Sequence, residues 1–220
     1  MRVIMVPVAD RPECAVALDG AFSLAERLEA NVRATHIRPH RYSRVALPEE
    51  TSYLLAPGDM PELSVAEQKT AEAASRAAKA LVEKVALERG FAAAGSLDGS
   101  SARRLVWHED VGNIANLMPV IGPFADLIAV SRPQKSRSRI ARAFVEQSLL
   151  HSGRPVLILP ARRRFRPGRR VVIGWDRALN AMRSIVAALI RSWSVRRASA
   201  SSKAATARVA APRSATWSSI

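Results

Sequence analysis

The chain has 220 residues, 48% of them hydrophobic, with one cysteine and a net charge of +15. A lone cysteine excludes an internal disulfide framework and fits a reducing compartment, so a cytoplasmic location is expected; no apolar run reaches the roughly 20 residues of a membrane span. The charge would suggest nucleic acid, but six arginines in 161–170 and eight basic residues after Asp176 account for nearly all of it, and neither stretch holds an acid.

Arg2–Val8 (RVIMVPV) reads as a buried strand rather than a leader, with Ala9–Glu13 as its exit loop. A helix is expected over Ala15–Ala30, with Val16, Phe22, Leu24 and Leu28 on its apolar face, ending at Asn31. Cys14, at the helix start and without a histidine nearby in sequence, reads as a small buried or half-buried residue. Val32–Ile37 is the second strand. Residues 38–62 hold four prolines and both tyrosines and read as an irregular excursion. Ser64 and Glu67 form a capping box for an alanine-rich helix that runs to about Arg89 and stops at Gly90.

Ala102–His108 is the third strand, and a short helix is expected over Ile114–Ile121. Ala125–Ser131 (ADLIAVS) is an apolar fourth strand, followed by the basic loop Ser131–Arg139 and a helix with Ile140, Phe144, Val145 and Leu149 near helical spacing. Gly153 stands where a helix C-cap is expected, and Pro155–Leu159 closes the pattern as a last strand. Strands and helices alternate throughout. This predicts a doubly wound five-stranded parallel sheet with helices on both faces and all exit loops at one edge, where such folds bind ligands.

Residues 1–160 therefore form one domain and 161–168 a basic linker. Arg170–Asp176 (RVVIGWD) repeats the theme of the N-terminal strand, so 169–190 reads as the start of a second, similar domain. Residues 191–220 are dominated by Ser, Ala and Arg without periodicity and are expected to be disordered.

Arg2–Val8, ADLIAVS (125–131) and VEQSLLHSGRPVLILP (145–160) together resemble the first strand, fourth strand and last helix–strand of universal stress protein domains, and 169–189 resembles the start of the second domain of tandem members. The resemblance implies a flavodoxin-like sheet of order 3-2-1-4-5 and a role in stress response. It also implies a nucleotide site. The glycine-rich loop of the ATP-binding members falls here on Ser131 and Gln134, with Arg132 beside them, and on Arg142 and Ala143; the acidic residue at the end of the first strand falls on Ala9, with Asp10 one place late. No glycine lies between Gly122 and Gly153. Backbone amides approach phosphates through glycines, so ATP is not expected to bind and no cofactor is implied.

His108, Glu109 and Asp110 are adjacent at a strand end, but neighbours on a strand alternate faces and should not converge on a metal or substrate. His36 and His40 are expected to have a structural or surface role, Trp107 to be a core residue and Asp126 to cap or bond backbone. No nucleophile-elbow, zinc-protease, Walker or paired-cysteine motif is present, so neither catalytic nor metal-ligating residues are assigned. The expected function is non-enzymatic stress regulation through protein contacts. ATP or AMP binding by a degenerate loop is the first alternative, and nucleic-acid association through the basic linker and tail the second. The apolar strand Pro155–Leu159 lacks a complete partner domain in the chain, so a homodimer through it is expected, alongside an unidentified protein partner and no membrane association.

Overall fold

Val3–Pro7 (β1) is an apolar run whose central residues Ile4, Met5 and Val6 are wholly buried. A strand covered on both faces needs this composition, and here it sits in the middle of a parallel sheet. The computed structural model describes residues 2–9, 11–38, 64–97, 103–133, 139–160, 170–174, 197–201 and 206–209. The excursion, apart from Arg38, and the basic linker lie outside the described residues.

The remaining elements of the first unit are α1 (Pro12–Leu28), β2 (Asn31–Arg38), α2 (Val65–Glu88), β3 (Ala92–Ala93), β4 (Arg104–Val111), α3 (Ile114–Ile121), β5 (Leu127–Ser131), α4 (Arg139–His151) and β6 (Val156–Leu159). The sheet order is β3-β4-β2-β1-β5-β6, and every pairing is parallel. Without β3 this is the expected 3-2-1-4-5 order. The sheet has six strands rather than five because the chain leaving α2 runs for two residues along β4, pairing Ala92 with Arg104 and Ala93 with Leu105.

Two cores flank the sheet. Ile4, Val6, Val32, Ala34 and Leu105 point towards α1 and α2, where Leu18, Phe22, Ala78 and Val82 meet them. Met5, Ile128 and Val130 point to the other face, against Met118 and Ile121 of α3 and Phe144 of α4. The alternation follows from the two-residue period of a strand, so β1 feeds both cores. Fully burying an aliphatic or aromatic side chain is worth about 1.5–3 kcal/mol, and strands and helices both contribute such side chains to the two cores.

Several boundaries differ from the sequence expectation, each for a local reason. Helix α1 begins at Pro12 rather than Ala15, because proline suits the first helical turn, where an amide has no partner. It ends at Glu29 in the left-handed conformation (φ 50°), not at Asn31. Asn31 instead opens β2, and its Oδ1 accepts the backbone N–H of Arg104 at 2.9 Å, tying β2 to β4. Strand β4 runs on to Val111, paired with β2 as far as Arg38↔Val111, so His108, Glu109 and Asp110 lie within a strand. The capping box of α2 is present, with Ser64 Oγ accepting from the Glu67 amide and the Glu67 carboxylate accepting from the Ser64 amide.

The chain divides into units Met1–Phe165 and Arg166–Ile220. In the second, β7 (Arg170–Gly174) pairs in parallel with β8 (Arg197–Ser201), and β8 pairs antiparallel with β9 (Thr206–Val209). The sequence predicts no regular structure after residue 190, whereas 197–201 and 206–209 are strands. The segment Arg197–Ser201 (RASAS) alternates small apolar and polar residues, a period compatible with a strand. The registers are also similar: Val3 pairs with Asn31 in the first unit and Arg170 with Arg197 in the second, so β7 and β8 are spaced nearly as β1 and β2 are.

Candidate functional site

In an open parallel sheet the chain leaves β1 and β5 on opposite faces, and a crevice forms between their carboxyl ends. That crevice is present. Pro7, Val8 and Ala9 form one wall, and Val130 and Ser131 the other. Arg11 and Cys14, at the start of α1, close one end, and Ile140, Ala141 and Phe144 of α4 close the other.

Among the described residues, side chains of the protein itself take up most of the crevice. Phe144 and Val130 are 6% and 2% exposed and belong to the core that also holds Met5. The remaining space is about 20 Å³, close to the volume needed for one water; ligand clefts run from about 300 Å³ upward. The side chains Ile140 and Phe144 carry this result, and their apolar spacing four residues apart at a helix start was the only sequence signal for it.

Five of the predicted positions lie among the described residues. Ala9 and Ser131 do line the crevice, across from one another. The amide of Ala9 points to Cys14 Sγ at 3.4 Å. The amide of Arg132 donates to the Leu159 carbonyl at 2.8 Å, extending the β5–β6 ladder by one bond, so it does not face the crevice as a phosphate donor. Its side chain is exposed, as is that of Arg142 on α4, and Ala143 is half-buried. Neither Arg142 nor Ala143 lines the crevice among the described residues. Asp10 and Gln134 lie outside the described residues.

The adjacent acids and histidine of β4 separate by face, as alternation requires. Glu109 faces α2, where its carboxylate accepts the Ser75 hydroxyl and meets Arg38 Nε at 3.0 Å. His108 and Asp110 share the opposite face, with His108 Nε2 3.0 Å from Asp110 Oδ2. Among the described residues no group of three or more histidine, cysteine or acidic side chains could hold a metal ion. His36 is 6% exposed, its Nδ1 lies 2.8 Å from the Val8 carbonyl, and its ring stacks on Trp107 with centroids 5.8 Å apart. A carbonyl can only accept, so Nδ1 carries the proton and the imidazole pins the end of β1 to β2. Both rings are thus structural. No described helix is long and apolar enough to cross a membrane.

No protein-family model matches the chain, and no curated protein does. Several solved structures are similar to this chain over about three quarters of its length. The universal stress protein UspA from Lactobacillus plantarum is 18% identical, covering 72% of this chain and 97% of its own, with a TM-score of 0.49. A universal stress protein family member from Burkholderia pseudomallei is 17% identical, covering 72% and 96%, with a TM-score of 0.42. One from Arabidopsis thaliana, solved with AMP bound, is 12% identical, covering 73% and 92%, also with a TM-score of 0.42.

Proposed function

We propose that this chain is a universal stress protein-like regulatory protein, non-enzymatic, that works through protein contacts and leaves the nucleotide position of its fold unused. The observation that carries the reading is the crevice between β1 and β5, reduced to about 20 Å³ by Val130, Ile140 and Phe144. The engagement of the Arg132 amide by Leu159 supports it, because a phosphate cradle depends on unengaged amides at this turn. So does the run without glycine from Pro123 to Ser152.

On this reading the docking element is β6. Among the described residues it pairs with β5 alone and forms one edge of the sheet, and Ile158 is 45% exposed. Pro155–Leu159 is expected to pair with the same strand of a second copy.

Isothermal titration of the full chain with ATP and with AMP tests the first half of the proposal. No saturable heat is expected up to millimolar nucleotide. Saturable micromolar binding of either nucleotide would overturn it.

A further inference from the structure

We draw no further inference here: the strongest candidate, the His108–Asp110 pair on β4 beside the buried Thr35 of β2, offers two metal-ligating side chains with no third among the described residues, and nothing in the structure shows what would occupy it.

Discussion

The Asp126 carboxylate, just before β5, accepts hydrogen bonds from the backbone amides of Arg2 (2.7 Å) and Val3 (3.1 Å) and so fastens the start of β1. Burial alone would raise its pKa. The two amides, helped by the charge of Arg154, more than offset that and hold it below the ordinary aspartate value. A carboxylate with a depressed pKa stabilises the folded state at every pH above its unfolded value, and the contribution disappears as pH falls through the folded one. Asp126→Ala should therefore lower the unfolding free energy by about 1 kcal/mol at pH 7, a hydrogen-bond value kept modest by solvent screening. Urea titrations should show wild type and variant converging as the pH drops below the ordinary aspartate range. An undiminished difference there would mean that the charge contributes nothing. Gly122 makes a steric rather than electrostatic contribution. Its backbone (φ −56°) suits any residue, but an added Cβ would lie 2.7 Å from Ser152 Cβ and 3.1 Å from Ser152 Cα. Gly122→Ala is expected to cost about 1–3 kcal/mol through overpacking. The double variant Gly122→Ala/Ser152→Gly should recover part of the loss in thermal melts, and strict additivity would place the strain elsewhere.

Among the elements, α1 and α2 meet through Arg89, which bonds both Asp19 and Glu26 of α1. The hydrogen bond to Asp19 is the chief reason that the Arg89 pKa is raised, against the opposing effect of burial. All three side chains are about a quarter exposed, so the coupling between Arg89→Met and Asp19→Asn in a double-mutant cycle should be about 0.5–1 kcal/mol. A coupling near zero would make Arg89 a solvated charge. Sequence reasoning recovered both helices and the capping box, since these rest on local spacing and on Ser64 and Glu67 alone. It missed β3, because Ala92 and Ala93 have little strand propensity and pair only where the exit from α2 brings them beside β4. It misplaced the end of α1 for a similar reason: Asn31 looks like a helix stop in isolation, but its side chain bonds Arg104, 73 residues away. The candidate site was legible as a position and not as a volume. The order of strands and helices located the β1/β5 crevice and put Ala9 and Ser131 in its walls. That Ile140 and Phe144 would fill it depends on how closely α4 packs against β5, which is tertiary information.

At the scale of the whole molecule, burial is uneven across the sheet. Strand β1, between β2 and β5, is covered on both faces, whereas the outer strand β6 has partly covered Val156 and Leu157 and an exposed Ile158. Leu149 and Leu150 on the preceding helix are 56% and 72% exposed. A strand with one free row of backbone donors and acceptors and apolar side chains beside it is a template for another strand, unless charge, proline or a covering element blunts it. Strand β6 itself has no charge, and Pro155 precedes it, so nothing within Val156–Leu159 opposes pairing. Two copies meeting β6 to β6 about a twofold axis would satisfy both rows at once, and the contact would be self-complementary. The full chain should therefore run as a dimer at micromolar concentration in multi-angle light scattering. Ile158→Lys should shift it to monomer while leaving the far-UV spectrum unchanged, since the substituted side chain is already 45% exposed. A wild-type chain that is monodisperse and monomeric under those conditions would remove β6 as the docking edge, and with it the specific contact on which the proposed regulatory role rests.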